Sequence, residues 1–202
     1  MKKGLRTGLI IIGIILVLGI GGCAAVTGTY NNLVSLEEGV KSAWGQVENQ
    51  FQRRYDLIPN LVSTVKGYAN FEQDTLTSLT EARSRVGGVI QISDDILNDP
   101  DAFSRYQQAQ GELTGALQRL LSVTENYPEL KANENFLALQ DQLEGTENRI
   151  SVERMKFNEA VEAFNVAYKK FPGVIIARLA GFNEKKYFRA DEAAASAPKV
   201  EF

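Results

Sequence analysis

The stretch ENFLALQDQLEGTENRISVERMKFNEAVEAFNVAYKKF, residues 134–171, decides the fold of this 202-residue chain. Its apolar side chains recur every three or four residues, the spacing that places them on one face of an α-helix. Pro172 and Gly173 end the pattern. The stripe, with two polar positions that keep its spacing, consists of Phe136, Leu139, Leu143, Thr146, Ile150, Glu153, Phe157, Val161, Phe164, Tyr168 and Phe171. It predicts a long helix that buries one side against other helices.

Three more stripes of the same spacing lie upstream, over residues 33–58, 61–86 and 103–127. Gly87-Gly88 follows the second stripe, and glycine is common just after the last turn of a helix. We therefore predict that the second helix ends there and that a loop runs from Val89 to Asp99. No alternating run of useful length predicts a β-strand.

Prolines mark the other predicted helix boundaries. Asp99 before Pro100 is a strong helix start, because Asp caps a helix and Pro is well tolerated in its first turn. Pro128 is predicted to end the third helix. Pro59 would cost ~3 kcal/mol inside a helix, so we predict a bend or break over residues 56–60. The alternative is that Pro59 only kinks one very long helix.

These stripes predict an all-α protein with an up-and-down four-helix bundle, whose helices pack near +20° as in coiled coils. We assign residues 1–28 to a cytoplasmic N-terminus and membrane anchor, 29–189 to the bundle, and 190–202 to a disordered tail. The short apolar segment 174–182 is expected to fold back on the bundle ends. A position on the membrane surface is the alternative for it.

The N-terminal region predicts a membrane anchor. Residues 9–26 read LIIIGIILVLGIGGCAAV, with no charge in eighteen residues. At ~1.5 Å per residue they make ~27 Å of helix, close to the ~30 Å hydrocarbon core of a bilayer. Lys2, Lys3 and Arg6 precede the stretch, so the positive-inside rule places the N-terminus in the cytoplasm and everything after about Gly28 outside.

A lipidated, cleaved signal peptide is the rival interpretation of the same region. Ile20-Gly21-Gly22-Cys23 resembles a bacterial lipobox, and the basic start and apolar run suit a secretory signal. Both interpretations attach the protein to a membrane and export its body. Cys23 is the chain's one cysteine, so the body has no disulfide and no cysteine ligand for a metal.

Charge and residue types exclude several classes of function. Without Lys2, Lys3 and Arg6, the 22 Lys and Arg fall to 19 against 25 Asp and Glu, a net charge of −6. Such a body has no electrostatic basis for binding nucleic acid. The chain has no histidine, which removes the commonest general base and the commonest metal ligand. We predict no cofactor, no metal, no catalytic residues and no enzyme activity.

One polar constellation stands out on the fourth predicted helix. Its members lie on one ridge beside the apolar stripe: Glu147, Ser151, Arg154, Asn158 and Asn165. A ridge beside a core seam is partly buried, so its members need partners. Candidate partners elsewhere in the chain are Arg53, Arg54, Asp56, Asn60 and Arg83. The constellation is either an internal network that sets helix register or a surface left open for another protein.

Three separated motifs carry a resemblance to a known family. Arg53-Arg54 leads into Asp56-Leu57-Ile58-Pro59-Asn60-Leu61-Val62, with Tyr30-Asn31-Asn32-Leu33-Val34 before it and Gly145-Thr146-Glu147-Asn148-Arg149-Ile150 after it. In this order they resemble the LemA family of bacterial membrane-anchored proteins, from about Tyr30 to Asp191. The resemblance implies a four-helix architecture. It also implies a link to envelope stress, membrane proteolysis or, in organelle-forming relatives, membrane remodelling, without an established reaction.

The sequence therefore predicts a non-enzymatic, single-pass protein of the bacterial cell membrane, a scaffold or adaptor for other membrane proteins. The family resemblance implies a membrane protease or a quality-control complex as its partner. No oligomeric state is predicted. The alternatives are a lipoprotein anchored at Cys23, and an enzyme on an envelope substrate that uses carboxylates alone, for instance Glu147 with Asp56.

Overall fold

The computed structural model describes residues 2–67, 72–92 and 96–189, and every regular element in these ranges is a helix. The helices are α1 (Lys2–Lys66), α2 (Gln73–Ile92), α3 (Pro100–Thr124), α4 (Pro128–Lys131), α5 (Glu134–Lys169) and α6 (Gly173–Ala180). The predicted all-α class is confirmed, while the up-and-down order of a four-helix bundle stays a prediction. The predicted disordered tail, 190–202, lies outside the described residues.

The predicted break at Pro59 is wrong, and the alternative of one very long helix is correct, because α1 runs through this residue without interruption. Proline has no N–H, so the carbonyl of Tyr55, four residues earlier, loses its helical donor. Arg83 of α2 supplies a donor instead, from Nε to the Tyr55 oxygen at 3.4 Å. The Arg83 guanidinium also lies 3.8 Å from the centre of the Tyr55 ring. A neighbouring helix thus compensates for the defect, and α1 ends at Lys66, before Gly67.

The predicted stop at Gly87-Gly88 is also wrong. Helix α2 continues to Ile92, so four residues of the predicted loop 89–99 are helical. Gly87 serves packing rather than termination: a Cβ there would lie 3.2 Å from the Tyr55 hydroxyl oxygen. The glycine lets the Tyr55 side chain of α1 approach α2 closely.

The predicted start of α3 is confirmed. Asp99 is the N-cap, and its Oδ1 accepts hydrogen bonds from the backbone N–H groups of Asp101 and Ala102 at 2.9 and 3.0 Å. Pro100 occupies the first helical position. The third helix ends at Thr124, slightly earlier than predicted, and Pro128 begins the short α4.

The chain divides into two compact units, and α1 and α5 supply residues to both. The first unit combines Met1–Val40 with Ala160–Glu184. Its buried side chains include Leu33, Phe164 and Ile176. A Cβ on Gly173 would lie 2.1 Å from the Ala167 carbonyl oxygen, so only glycine fits where α6 begins.

The second unit combines Lys41–Glu159 with the chain from Lys185 onward, and α1 to α5 all contribute to its core. Its apolar cluster consists of Ile58, Leu61, Val65, Leu76, Leu79, Ala82, Val86, Ala109, Leu113, Leu117, Leu120, Leu130, Phe136 and Leu143. Trp44 lies in a separate group of aromatic rings in this unit.

Candidate functional site

A buried arginine joins three helices of the second unit. Arg54 of α1 is only 1% exposed. Its Nη1 donates to Glu147 Oε1 at 2.6 Å on α5 and to Thr114 Oγ1 at 2.7 Å on α3. Its Nη2 donates to Gln110 Oε1, also on α3. A buried guanidinium needs such acceptors because removing its charge from water is costly. We call Arg54, Gln110, Thr114 and Glu147 the arginine cluster.

The cluster favours a stabilising role over proton transfer. The side chain of Glu147 is 37% exposed, so the Arg54–Glu147 ion pair reaches the surface. The Arg54 guanidinium also lies 5.2 Å from the centre of the Phe51 ring. Nearby, burial raises the pKa of Tyr106 to about 12. The Tyr106 phenol is therefore protonated at neutral pH and is no general base.

A second polar group lies on the same face of α5 and holds the chain's own C-terminal segment. Asn158 Oδ1 accepts from the Phe188 N–H at 2.9 Å, and Asn158 Nδ2 donates to the Phe188 carbonyl at 3.0 Å. Arg154 Nη2 and Gln107 Nε2 both donate to the Arg189 carbonyl, each at 2.9 Å. We call Gln107, Arg154 and Asn158 the backbone clamp, because all four bonds go to main-chain atoms.

The ring of Phe188 completes the aromatic group around Trp44. It stacks on the Trp44 ring, with the ring centres 5.9 Å apart. It also contacts the rings of Phe103 and Phe157, at 5.1 and 5.3 Å between centres. The Arg154 guanidinium lies 4.7 Å from the Phe188 ring centre. The C-terminal segment is therefore part of the core of the second unit.

A small cavity of about 90 Å³ lies between the arginine cluster and the backbone clamp. Its lining includes Arg54, Glu147, Arg154 and Phe188. Nε of Arg54 is buried and has no hydrogen-bond partner among the described residues. A cavity of this size holds a few waters at most, so it is no substrate pocket.

The other predicted site residues are dispersed. Asp56 is exposed and accepts from Gln52 Nε2 at 2.8 Å, and the Asn60 side chain is exposed as well. Arg53 points to solvent beside the buried Arg54. Cys23 is exposed on α1 within the apolar stretch. These residues are not part of the arginine cluster.

Two further predicted residues, Arg83 and Asn165, lie outside both the arginine cluster and the backbone clamp. Arg83 bonds to Tyr55, as described above, and Asn165 is 2% exposed within the first unit. The prediction therefore combined residues that serve different contacts. Of the ten, Arg54 and Glu147 belong to the arginine cluster, and Arg154 and Asn158 belong to the backbone clamp.

Sequence reasoning missed Gln107, Gln110 and Thr114, which complete the two groups, and Phe188, which the clamp holds. Gln110 had a signal, because it is a polar residue on the apolar stripe of the third helix. Thr114 follows it by one turn and shares its face. Phe188 had no signal, because it lies in an irregular segment that has no periodicity.

Nothing in the described part of the chain resembles a metal site: no group of three or more Cys, Asp or Glu side chains could hold an ion there. The apolar side chains from Leu9 to Val26 are exposed on α1, and by length and composition this part of the helix is a candidate membrane span. Fold and site together define the class: an all-α protein with an N-terminal candidate membrane helix and an internally bonded helical body.

The family model described as LemA family matches residues 43–202. The chain belongs to the LemA family, as its motifs predict.

Three relatives extend this finding. The magnetosome protein MamQ of Magnetospirillum gryphiswaldense is 27% identical over 174 residues, which cover 79% of this chain and 64% of MamQ. Magnetosome protein MamQ 2 of Paramagnetospirillum magneticum is 26% identical over 175 residues, with the same coverage. Protein LemA of Metamycoplasma hominis is 24% identical over 196 residues, 95% of this chain and 84% of that protein. The chain thus matches just under two thirds of the length of the MamQ proteins. Family and relatives indicate a membrane-associated protein.

Proposed function

We propose that this protein is a non-enzymatic, single-pass scaffold or adaptor of the bacterial cell membrane, with its N-terminus in the cytoplasm and its helical body outside. One observation carries the proposal: the buried and half-buried polar side chains of the arginine cluster and the backbone clamp are bonded within the protein. Arg54 and Glu147 join α1 to α5 at 2.6 Å. Arg154 and Asn158 hold the chain's own backbone.

These contacts weigh against the carboxylate-only enzyme. A glycosidase pair needs two carboxylates that face each other across a cleft, ~5–10 Å apart. Glu147 is instead bound to a buried arginine, and Asp56 bonds to Gln52 one turn earlier on its own helix. Glu147 lines a groove between α3 and α5, and Asp56 is not in the lining of that groove.

A groove between α3 and α5 is the surface that we propose for a partner. It has a volume of about 350 Å³, with Leu117, Leu121 and Leu143 in its lining. Gln118, Glu144 and Asn148, which also line the groove, are exposed. An apolar floor with a polar, partly acidic rim suits an amphipathic helix whose apolar side chain enters the groove and whose basic residues meet Glu144. A membrane protease or another quality-control protein is the partner class that the family resemblance implies.

Site-specific photo-cross-linking in native membranes tests the scaffold. A photoreactive amino acid replaces Gln118 in the groove and, in a matched control, the exposed Glu125 just after α3. We expect the Gln118 position alone to yield one discrete adduct with another membrane protein, identified by mass spectrometry. Leu121→Glu, which puts a charge on the floor, should abolish that adduct without changing the amount of protein in the membrane. Identical adduct patterns at Gln118 and Glu125, or none, would refute the groove as the partner surface.

The lipoprotein alternative makes a different prediction at Cys23. If the anchor is an uncleaved transmembrane helix, the purified protein keeps residues 1–22 and Cys23 keeps an unmodified thiol. A lipoprotein would lose those residues and gain the mass of a diacylglyceryl group. Intact-mass measurement distinguishes the two.

A further inference from the structure

Helix α6 has an apolar face that stays exposed among the residues that the structure describes. Ile176 and Ala177 point inward and are 7% and 0% exposed. Ile175 and Leu179, four residues apart, share another face. Leu179 is 84% exposed, and Phe171, in the turn just before α6, is 80% exposed. Three large apolar side chains this close together form an exposed patch that needs an explanation.

The position of α6 within the first unit explains why this patch is exposed. At its start, a Cβ on Gly173 would lie 3.9 Å from Thr29 Cγ2. Just past its end, the ring of Phe182 lies 5.9 Å from that of Tyr30, centre to centre. Thr29 and Tyr30 are neighbours on α1, ~1.5 Å apart along its axis. Because Gly173 at the start of α6 and Phe182 just past its end both meet α1 at one level, these contacts favour a course of α6 across α1 over one along it.

That level is where α1 would leave a membrane. The exposed apolar stretch of α1 ends at Val26, so Thr29 and Tyr30 lie within ~6 Å beyond it along the helix axis. If α1 spans the bilayer, a helix that crosses it here lies near the headgroup region and roughly in the membrane plane. Tyr30 is itself half exposed, as suits an aromatic residue at a membrane–water interface.

The charges around the patch agree with this position. Lys170 and Arg178 are exposed on either side of Ile175, in a body whose net charge is negative. Lys169 pairs with Glu184 at 2.5 Å. An apolar face flanked by basic side chains is the pattern of helices that lie in a bilayer interface, where the basic groups meet lipid phosphates.

We propose that α6 is a membrane-surface helix that inserts Phe171, Ile175 and Leu179 into the outer interface of the bilayer spanned by α1. The occupant of this apolar face is lipid, and the helix forms a second contact with the membrane that orients the first unit. The inference rests on the membrane anchor of the proposed function, but it is independent of the scaffold role.

Depth measurements on the full chain test this proposal. In a Cys23→Ser background, single cysteines replace Leu179, Leu16 and Met155, and each carries an environment-sensitive fluorophore. Leu16 reports on the anchor, and Met155, apolar and 57% exposed on α5 in the second unit, is the matched control. The labelled proteins are reconstituted in vesicles of phosphatidylethanolamine and phosphatidylglycerol in equal parts. Nitroxide-labelled lipids serve as quenchers at shallow or deep positions.

We expect the Leu179 probe to be blue-shifted and quenched by shallow nitroxides several-fold more strongly than the Met155 probe, and the Leu16 probe to be quenched by deep ones. A quenched Leu16 probe with an aqueous Leu179 probe would overturn the proposal while leaving the anchor intact. An unquenched Leu16 probe would refute the anchor and this inference together. Ile175→Glu should also reduce quenching at Leu179, whereas Glu162→Gln should not. The side chains of Ile175 and Glu162 are both exposed, so neither substitution should unfold the protein. An unchanged circular dichroism spectrum of each variant would confirm that its helices are intact.

Discussion

The arginine cluster and the backbone clamp lie beside the same small cavity, yet they stabilise the second unit in different ways. Arg54 is a buried charge whose acceptors are side chains on α3 and α5. Asn158 is a neutral amide that pairs with both main-chain polar groups of Phe188. The arginine cluster therefore depends on which side chains lie opposite Arg54. The Asn158 amide binds main-chain atoms, which every residue has, so its bonds do not depend on the side chain at position 188.

This difference predicts where damage spreads. Loss of Arg54 would disturb three helices at once and leave buried acceptors without a donor. Loss of the clamp would release a segment near the end of the described chain, which can detach while the helices stay folded. The first change should therefore lower global stability, and the second should appear mainly as local opening.

The largest effect is expected from Arg54→Met. Breaking a buried ion pair by removing one partner costs about 3–5 kcal/mol, and the partial exposure of Glu147 favours the lower end. At ~2–4 °C per kcal/mol for a chain of this size, the melting temperature should fall by at least about 6 °C. Thermal unfolding followed by circular dichroism measures this. The control is Arg53→Met at the exposed neighbour, and equal melting temperatures for the two variants would contradict the assignment.

Phe188→Ala should have the next largest effect, and a local one. Truncating a buried phenylalanine costs about 3–5 kcal/mol, but a terminal segment can lose only the free energy that holds it in place. We expect trypsin to cleave after Lys185 and Lys186 much faster, with a smaller change in global melting temperature than for Arg54→Met. Tyr187→Ala, at the neighbouring exposed position, is the control. Equal cleavage rates in both variants would show that the ring does not hold the segment.

Asn158→Asp tests the polar half of the clamp. The carboxylate can still accept from the Phe188 N–H, but it cannot donate to the Phe188 carbonyl. The expected loss is about 1 kcal/mol for one hydrogen bond, and Asn158→Leu, which removes both bonds, should lose more. Amide hydrogen exchange at residues 186–189 measures the graded effect. If Asn158→Asp and Asn158→Leu gave the same exchange rates, the hydrogen bond accepted from the Phe188 N–H would contribute nothing to holding the segment.

Arg83 is an arginine outside both groups, and its acceptor is the main-chain carbonyl of Tyr55. Arg83→Leu should cost about 1 kcal/mol, because the carbonyl opposite Pro59 then has no donor. In Pro59→Ala, the restored N–H of residue 59 can donate to Tyr55, so the same Arg83 change should cost less. A double-mutant cycle of urea unfolding measures this coupling. Strict additivity would mean that Arg83 does not compensate for the proline.

The smallest expected effect concerns the start of α3, the helix that supplies partners to both groups. Hydrogen bonds from the backbone N–H of Ala102, and then of Asp101, hold the pKa of Asp99 below its usual value. A depressed folded-state pKa stabilises the protein above the unfolded pKa of ~3.9. This contribution is lost as the pH falls through the folded-state pKa. Asp99→Asn keeps a neutral cap, so its urea midpoint should fall less steeply below about pH 4. Parallel pH profiles for the two proteins would contradict this.

The two predicted breaks show where local patterns fail. Pro59 and Gly87-Gly88 are strong local signals for a helix end, yet α1 and α2 continue through them. In both cases the reason lies on the other helix: Arg83 supplies the missing donor to Tyr55, and Tyr55 packs against Gly87. These contacts join residues distant in sequence, and no pattern within either helix contains them.

Much of the candidate site was predictable as a set of residues, but its pairing was not. A polar residue beside an apolar stripe must find a partner, and this rule alone selects Arg154 and Asn158. It does not say that their partner is the backbone at residues 188–189, since an irregular segment has no periodicity. Asp56 and Asn60 of α1 were predicted as candidate partners for these residues, but both are exposed.

The sequence by itself determined the helical class, the candidate anchor and the cap at Asp99, because each depends on neighbours within a few turns of the chain. It also determined the family, through the order of its separated motifs. Only the tertiary structure decided where α1 ends, which acceptors Arg54 uses, how the C-terminal segment is held and which face of α6 stays exposed. Those outcomes depend on which helices meet. The free energy of a buried charge or an unpaired carbonyl is set by partners that can lie anywhere in the sequence.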